Sequence, residues 1–585
     1  MRIIKFGVNN FRGISGGIEN NTIEFLDSNT IFILGQNNVG KSSFLRAYEM
    51  FYSNISLSPE DLHRMDVTKQ VEFELTLQLD DFDFKKESIK PKVVGLKKWL
   101  NGDNQLRIKR VINAKGSSRV TFENPINFTW DFETSEWIEK NYGGIGLDSV
   151  FQSALPTPIF IKAMPTEAEL EVIVNKILSN KASQNLKDKE REEYLEAQKK
   201  IKELQDKIYN PVAIDNYKAE VNQNFQHLFP NTKIELSEKD KIKWTENGLG
   251  RKFTIHFEQI NNDGIKDETI PTHFENIGHG AIRSAIFSLL LMKDVAEEYK
   301  RVEKRKDYLV LFEEPELFLH PKLMKQLRKL IYSVSSSDSP YQVLCASHSP
   351  QMINITKEKS SLVRMVSDSF ETKLHQINDE YLRESKGDIT RDELKQEMNE
   401  ILRFNPFICE SFYADEVILI EGATEEIILR GYLAEVESHK DLFIVNCGSV
   451  TNIPFYQKIF SKFSIKYHVI CDTDNSEISG EDDFGLPVFT TGIQKSIYNQ
   501  FNLDAHKDNN NLGLLQVHQT TFEPAHQVDQ IPLELRYPDG EKFKVSDGKP
   551  FNANLYWRDI LQPNLGNPNV MTVPIIHKIK KIIEN

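Results

Sequence analysis

The sequence predicts an α/β protein, because several short apolar runs are each followed by a glycine loop or by acidic residues. The run at residues 30–34 leads into a glycine-rich loop and then into a helical pattern. The runs at residues 417–420 and 467–471 end in Glu421 and in Asp472 with Asp474. Short apolar runs rich in β-branched residues are typical of strands buried on both faces of a parallel sheet. Because such sheets bind ligands beyond the carboxyl ends of their strands, each of these loops is a candidate site.

The loop that follows residues 30–34 has the pattern G-x-x-x-x-G-K-S, and residues 43–51 after it have a helical pattern. In a loop of this kind the glycines let backbone N–H groups surround nucleotide phosphates, the lysine adds a positive charge and the serine can bind Mg²⁺. The sequence therefore predicts an ATP site with Mg²⁺. Its candidate ligands are Gly35, Asn37, Asn38, Gly40, Lys41, Ser42 and Ser43.

Two later strand ends are expected to complete this nucleotide site. The run at residues 308–312 is followed by Glu313 and Glu314, which is the Walker B pattern. We expect Glu313 to hold the Mg²⁺ shell and Glu314 to orient the attacking water. After the apolar run at residues 343–346, His348 is predicted to report on the γ-phosphate, whereas a lone histidine is more often structural.

A second glycine loop at residues 275–283 precedes an apolar helix at residues 284–292. Gly278 and Gly280 leave the N-terminus of that helix open, so that its free N–H groups could point at a phosphate. The candidate contacts to nucleotide are Gly278, Gly280 and Arg283. The alternative interpretation is a plain glycine turn before a core helix.

The acidic strand ends in the C-terminal part predict a metal site. Glu421 ends the apolar run at residues 417–420, Gly422 permits a sharp turn, and Thr424 is expected to cap a helix that opens with Glu425. If the two strands are neighbours, their ends bring together Glu421, Glu425, Asp472 and Asp474. So many carboxylates can share one pocket only with a hard cation between them, which points to Mg²⁺ or Mn²⁺ and phosphoryl chemistry. A solvated acidic surface is the alternative.

The order of these motifs resembles that of the overcoming-lysogenization-defect (OLD) family of nucleases. The C-terminal half resembles a Toprim domain at Glu421–Gly422, at the turn of Gly448 after residues 442–445, and at Asp472-x-Asp474. The N-terminal half resembles ABC-type ATPases of the RecF and SMC kind, and its glycine loop at residues 275–283 resembles their signature loop in a degenerate form. RecF and SMC proteins lack the Toprim half, and topoisomerases and primases lack this ATPase half.

The resemblance spans nearly the whole chain and implies its domain organisation. The expected fold class is α/β, an ABC-type (RecF/SMC-like) ATPase domain with a helical insertion, followed by a Toprim domain. The ATPase domain is expected at residues 1–165 and 231–400, with the Walker A loop in the first part. A charged helical insertion at residues 166–230 is a possible dimerisation arm or a solvent-exposed insertion, and the Toprim domain is expected at residues 401–585.

The resemblance also implies an ATP-regulated endonuclease that nicks or cleaves DNA by a two-metal mechanism, in prokaryotic anti-phage defence. The metal ligands it implies are Glu421, Glu425, Asp472, Asp474 and Glu523. The aspartate expected after Glu523 is absent, because Ala525 and His526 occupy that region. Lys549 resembles the lysine that stabilises charge on the scissile phosphate, with an ordinary loop lysine as the alternative. The ATP site would be composite, with two copies of the chain facing each other, so at least a homodimer is implied.

The amino-acid composition limits the kinds of binding partner and the cellular compartment that are expected. The 585 residues carry a formal net charge of −14, which argues against a protein that coats nucleic acid through bulk positive charge. The four cysteines are far apart in sequence and form no CxxC pair, so buried thiols in a reducing cytoplasm are expected. The N-terminus has no signal-peptide pattern and no apolar run is long enough to span a membrane, which favours a cytoplasmic protein.

Two other functions compete with a DNA endonuclease. The first is a non-nucleolytic, RecF-like ATPase that acts as an ATP-dependent DNA clamp, with an inert Toprim half. The second, a topoisomerase or primase, is disfavoured because neither a strand-transfer tyrosine module nor a zinc domain is evident. RNA as the substrate, and a partner defence protein or nucleic acid as a trigger, stay open at this stage.

Overall fold

The protein is described by a computed structural model that divides the chain into two compact units, Met1–Leu374 and His375–Asn585. The structure describes residues 1–25, 28–53, 57–86, 89–90, 93–116, 120–139, 155–163, 219, 222, 232–238, 253–259, 307–334, 340–353, 361–369, 371–377, 406–436, 438–507, 513–538 and 548–585. The predicted glycine loop at residues 275–283 lies outside this part of the chain. The same holds for the predicted helical insertion at residues 166–230, except for residues 219 and 222.

The strands follow the chain in this order: β1 Arg2–Asn9, β2 Thr22–Glu24, β3 Thr30–Leu34, β4 Val71–Gln78, β5 Gln105–Ile112, β6 Ala114–Lys115, β7 Thr121–Phe122, β8 Ile126–Asp131, β9 Glu136–Glu139, β10 Thr157–Ile161, β11 Thr232–Glu238, β12 Phe253–Gln259, β13 Tyr308–Glu313, β14 Tyr341–Ala346, β15 Leu362–Asp368, β16 Glu371–Gln376, β17 Glu416–Ile420, β18 Leu442–Asn446, β19 Lys466–Asp472, β20 Ile478–Glu481, β21 Pro487–Phe489 and β22 Leu515–His518. The α-helices of the described residues are α1 Lys41–Ser53, α2 Val93–Lys97, α3 Pro321–Val334, α4 Ala423–Glu435, α5 Ile453–Lys462, α6 Gly492–Lys507, α7 Phe522–Ala525, α8 Lys549–Leu555 and α9 Pro574–Glu584.

The first unit contains two six-stranded sheets. One is antiparallel, in the order β2-β1-β4-β5-β8-β9, and the first half of its strand β4 alternates between buried and half-buried residues. The other has the order β10-β13-β14-β3-β15-β16, and its first five strands are parallel. Every residue of β3 and β14 is buried, as expected for continuous apolar strands in the middle of a parallel sheet. Helix α1 starts directly after the glycine loop that follows β3.

The second unit is built on a four-stranded parallel sheet in the order β18-β17-β19-β22. Strands β17 and β19 lie side by side in its centre, so the loops that follow them emerge at the same edge. Helices α4, α8 and α9 pack together over an apolar core that includes Ile428, Trp557 and Ile579. Helix α4 approaches Trp557 closely at Gly431, where an added Cβ would lie 2.4 Å from the indole ring.

The structure corrects one local prediction, the cap of α4. The residue that precedes the helix is Gly422, in an extended conformation and without a side-chain cap, whereas Thr424 is buried inside the first turn. The reason is that the helix begins at Ala423, two residues earlier than a cap at Thr424 requires. All four cysteines are buried, and none forms a disulfide in the described part of the chain. Among the described residues, no helix has the length and apolarity that crossing a membrane requires.

Candidate nucleotide site and metal centre

The loop between β3 and α1 is shaped for close backbone approach. Gly35 and Gly40 have φ angles of +147° and +104°, in the region that favours glycine. A Cβ on Gly35 would lie 2.3 Å from the carbonyl oxygen of Met365, so no side chain fits there. Lys41 donates to the carbonyls of Gly35 at 2.8 Å and Gln36 at 2.6 Å. Burial lowers the pKa of Lys41 to about 8, although the charges of Glu314 and Glu316 oppose this shift. The loop thus has the shape and the charge that a nucleotide phosphate requires.

The other predicted loop residues are open to solvent, fully or in part. Asn37, Asn38 and Ser42 are exposed, and Ser43 is half-buried in the first turn of α1. Asn38 has a φ of +64°, which asparagine tolerates better than most residues. The residues of the predicted signature loop, Gly278, Gly280 and Arg283, lie outside the described residues.

The ends of β13 and β14 bring the other predicted nucleotide-site residues together. Glu313 is the last residue of β13, and the N–H of Glu314 donates to the carbonyl of Ala346 at 2.8 Å. His348 Nε2 lies 3.7 Å from Glu314 Oε1. Burial, with the nearby Lys41, lowers the pKa of His348, so this imidazole is neutral at pH 7. Three strand ends of one sheet therefore carry the Walker A lysine, the two glutamates and the histidine.

Glu316 also lies in this region, although the sequence motifs predicted no role for it. Its Oε1 accepts the backbone N–H of His348 at 2.6 Å. The other oxygen, Oε2, is buried and has no hydrogen-bond partner among the described residues. Burial raises the pKa of this carboxyl group above its usual value. The signal was present in the sequence, because Glu316 is the last residue of the Glu-Glu-Pro-Glu run whose first two members were assigned roles.

The metal-site candidates of the second unit converge at the carboxyl edge of its parallel sheet. Glu421 follows β17, and its Oε1 accepts the backbone N–H of Asp472 at 2.8 Å. Glu425 lies in the first turn of α4 and is 4 % exposed. Ligand atoms of Glu425, Asp472 and His518 all lie within 4.8 Å of one another. The two carboxylates are oxygen ligands of the kind that a hard divalent cation prefers, and the imidazole lies beside them.

Asp472 is the most firmly held of these carboxylates. Its Oδ1 lies 3.2 Å from His518 Nδ1, and its Oδ2 accepts the backbone N–H of Phe522 at 3.1 Å. The amide of Gln494 donates to the backbone carbonyl of Asp472 at 3.1 Å and to Asp474 Oδ2 at 3.3 Å. Asp474 itself is exposed, so it lies on the solvent side of the cluster. Its φ angle is +47°.

The pKa values of the three inner carboxyl groups show that the site disfavours uncompensated negative charge. Burial is the main cause in each case, and it raises the pKa of Glu421 to about 7, of Glu425 to about 8 and of Asp472 to about 6. Neighbouring carboxylates raise the values for Glu421 and Glu425 further. A bound cation would reverse this balance, because it stabilises the ionised forms that it coordinates.

The two remaining predicted residues lie in the same neighbourhood. Lys549 Nζ is 3.3 Å from Glu523 Oε1, and the lysine side chain is 75 % exposed. The charge of Lys549 opposes the rise in the pKa of Glu421 and Asp472, whereas the charge of Glu523 adds to the rise in the pKa of Glu425. Lys549 is the first residue of α8. The structure therefore brings Glu523 and Lys549 to the carboxylate cluster, where Lys549 could approach a phosphate from the solvent side.

Sequence reasoning missed three residues around this cluster, namely His518, Gln494 and Lys578. His518 ends β22 directly beside Asp472 in the parallel register, a pairing across 46 residues that the sequence does not indicate. Lys578 lies on α9, where burial lowers its pKa to about 8 while the charge of Asp472 opposes the shift. None of the three belongs to a sequence motif, and only the folded sheet places them near the carboxylates.

The chain joins an ATPase domain to a Toprim domain. The profile of the AAA ATPase domain matches residues 154–353. The profile of the "Overcoming lysogenization defect protein-like, TOPRIM domain" matches residues 412–474. These two matches confirm the resemblance to the OLD family and the fold class that the motifs predicted.

Two relatives align with this chain over most of their length. "Old nuclease" of Escherichia phage P2 is 23 % identical over 472 residues, which are 76 % of this chain and 73 % of the relative. "Endonuclease GajA" of Bacillus cereus (strain VD045) is 23 % identical over 497 residues, 82 % of this chain and 76 % of the relative. Among solved structures, an SmcHead bound to the C-winged helix domain of ScpA matches with 11 % identity and a TM-score of 0.40, over 65 % of this chain and 100 % of that chain.

Proposed function

We propose that this protein is an ATP-regulated, divalent-metal-dependent endonuclease that nicks or cleaves DNA in prokaryotic anti-phage defence. The observation that carries the proposal is the cluster of Glu421, Glu425 and Asp472 at one sheet edge. Burial raises the pKa of all three, so their ionised forms need a cation nearby. The two nuclease relatives and the Toprim match support hydrolysis of a phosphodiester as the use of that cation.

The carboxylates of Glu421, Glu425, Asp472 and Asp474, with Glu523 beside them, would hold Mg²⁺ or Mn²⁺. When bound, such ions supply activation of a water and stabilisation of the leaving oxygen. Lys549 has an exposed ammonium group next to Glu523, so it can place its charge on a phosphate that enters from solvent. Bulk attraction of the polyanion is weak in a chain of net charge −14, so contacts at this site have to hold the substrate.

In the ATPase domain, Lys41 and the glycine loop would bind the phosphates of ATP, while Ser42 and Glu313 would hold the accompanying Mg²⁺. Glu314 would orient the attacking water, and His348, which is neutral and 3.7 Å from Glu314, would respond to the γ-phosphate. We further propose a homodimer, since ABC-type sites place the glycine loop of a second copy against the nucleotide. That loop corresponds to Gly278, Gly280 and Arg283 of the second copy.

Nicking of supercoiled plasmid DNA tests this function. The wild-type protein should convert the plasmid to nicked or linear forms with Mg²⁺ or Mn²⁺, and Asp472→Ala should abolish the conversion. Lys41→Ala should remove ATP hydrolysis, so the variant shows whether ATP promotes or restrains cutting. A single-stranded RNA substrate, run in parallel, tests the choice of nucleic acid. ATP-dependent DNA binding without strand breaks under either metal would instead favour a RecF-like clamp.

A further inference from the structure

Asp472 differs from the other carboxylates because the protein holds both of its oxygens from opposite sides. His518 faces Oδ1 at 3.2 Å, and the backbone N–H of Phe522 donates to Oδ2 at 3.1 Å. Each oxygen keeps a second lone pair, so both contacts are compatible with metal binding. A metal-binding carboxylate held by two donors has little freedom to rotate, and such support affects metal affinity strongly.

The surroundings of His518 fix which of its nitrogens carries the proton. The residue is 1 % exposed, so burial disfavours a charged ring with a proton on each nitrogen. Its Nε2 is buried without a hydrogen-bond partner among the described residues. A proton on Nε2 would be an unsatisfied buried donor, which costs about 1–3 kcal/mol. The proton therefore belongs on Nδ1, and His518 donates a hydrogen bond to Asp472.

A second buried histidine supports the other oxygen through the backbone. His526 Nε2 accepts the N–H of Ile575 at 3.1 Å, so its proton is on Nδ1. That Nδ1 donates to the carbonyl of Phe522 at 2.7 Å. The His526 ring also stacks on the Phe522 ring, with centroids 3.9 Å apart. Phe522 is therefore held by its carbonyl and by its ring, and this fixes the direction of the N–H that it donates to Asp472.

These contacts form one continuous path between the C-terminal helix α9 and the metal site. The path runs from the N–H of Ile575 to His526, then to Phe522 and on to Asp472. A second contact joins α9 to the sheet, because the amide of Gln516 on β22 donates to the carbonyl of Lys578 at 3.0 Å. In the sequence, His526 lies in the region where the family resemblance implies an aspartate. The structure gives it a different task, which is to connect α9 to the backbone beside Asp472.

We propose that His518 and His526 are positioning residues that lock the two oxygens of Asp472 for metal binding, and that they make helix α9 an integral part of the metal site. The proposal rests on the metal site of the proposed function, but it concerns metal affinity and does not depend on which substrate is cut. Neither histidine needs to touch the metal or the nucleic acid for this role.

The test compares His518→Asn with His518→Leu. The Nδ2 of asparagine occupies nearly the position of histidine Nδ1, so the first variant keeps a donor to Asp472 and the second has none. Binding of Mn²⁺ to the full-length protein without nucleotide is measured by the EPR signal of the free ion. We expect the dissociation constant to rise about 10- to 100-fold in His518→Leu. In His518→Asn it should stay within a few-fold of the wild-type value.

Three further measurements separate positioning from a merely structural role. Plasmid nicking by His518→Leu should recover when Mn²⁺ is raised above the weakened dissociation constant, which a misfolded variant cannot do. ATP hydrolysis should be unchanged in every His518 variant. His526→Leu should weaken Mn²⁺ binding less than His518→Leu, because it acts through the Phe522 backbone.

His468 provides the matched control, since it is also a fully buried histidine on the same sheet. Its Nε2 lies 2.7 Å from Glu416, and its Nδ1 accepts the N–H of Leu514 at 2.9 Å, so its partners are not site carboxylates. His468→Leu should lower the thermal stability and leave Mn²⁺ affinity unchanged. The proposal is overturned if His518→Leu binds Mn²⁺ as the wild type does, or if His518→Asn loses as much affinity as His518→Leu. Normal Mn²⁺ behaviour without any strand cleavage would refute the proposed nuclease function and leave this proposal standing.

Discussion

Replacement of Glu425 by glutamine should stabilise the metal-free protein while it removes metal binding. Glu425 is 4 % exposed, and burial with three neighbouring carboxylates raises its pKa from 4.5 to about 8. Glutamine has the same shape and can be buried without ionising. The wild-type residue therefore lowers the stability of the metal-free state, and the variant should not.

The sign and size of this effect follow from linkage. Below pH 4.5 the group is protonated in both the folded and the unfolded chain, and it has no effect. As the pH rises, the unfolded chain ionises first, and the loss of stability grows until the pH passes the folded value of about 8. At pH 7 the difference amounts to about 2–3 kcal/mol, allowing for the shared influence of neighbouring charges. For a unit of this size that corresponds to a Tm higher by about 4–10 °C in Glu425→Gln.

Thermal unfolding in EDTA at pH 5 and at pH 8 measures the effect. The two proteins should have similar Tm values at pH 5, and the variant should be clearly more stable at pH 8. Addition of Mn²⁺ at pH 8 should raise the Tm of the wild type only. If Glu425→Gln is the less stable protein in EDTA at pH 8, a buried charge is not what limits the stability of this site.

Three other outcomes are expected. The pKa values of Glu421, Glu425 and Asp472 are raised to about 7, 8 and 6, so Mn²⁺ affinity should increase from pH 6 to pH 8.5. Binding should release protons, which calorimetry in buffers of different ionisation enthalpy detects. A pH-independent affinity would contradict those values. Glu316→Ala should lower the kcat of ATP hydrolysis about 10-fold or more with little change in KM, because the His348 backbone N–H loses its acceptor at 2.6 Å. Glu316→Gln keeps an acceptor and should retain most of the rate. Equal loss in both variants would refute the hydrogen-bond role. Gly431→Ala should destabilise the second unit by about 1–3 kcal/mol, since the new Cβ would lie 2.4 Å from the Trp557 ring, and an unchanged Tm would show that the indole moves aside easily.

The sequence predicted the elements whose chemistry is local. The glycine loop at Gly35 and Gly40, the paired Glu313 and Glu314, and the acidic strand end at Asp472 each follow a continuous apolar run, so the pattern itself indicates strand, turn and ligand. The apolar runs also indicated parallel strands, because β3, β14 and β17 are buried along their whole length. These features depend on residues that are neighbours in the chain.

What the sequence could not predict depends on contacts between distant segments. His518 lies beside Asp472 only because β22 pairs with β19 after the intervening helix α6, and no local pattern sets that register. His526, which contacts Phe522, accepts a hydrogen bond from Ile575, 49 residues further along the chain. The predicted cap residue of α4 was wrong for another reason. Gly422 and Thr424 are both acceptable cap residues, and the choice between them depends on how the turn after β17 packs.

The contact from Phe522 to Asp472 is made by the main chain, and this affects how the site can change over time. Alanine scanning would pass over position 522 as a packing residue, since every amino acid except proline supplies the same N–H. A different side chain at this position therefore keeps the donor to Asp472, although it loses the ring stacking on His526 that helps to fix the direction of the N–H. Among single exchanges, only Phe522→Pro deletes the donor itself, so Mn²⁺ binding should be weaker in Phe522→Pro than in Phe522→Ala.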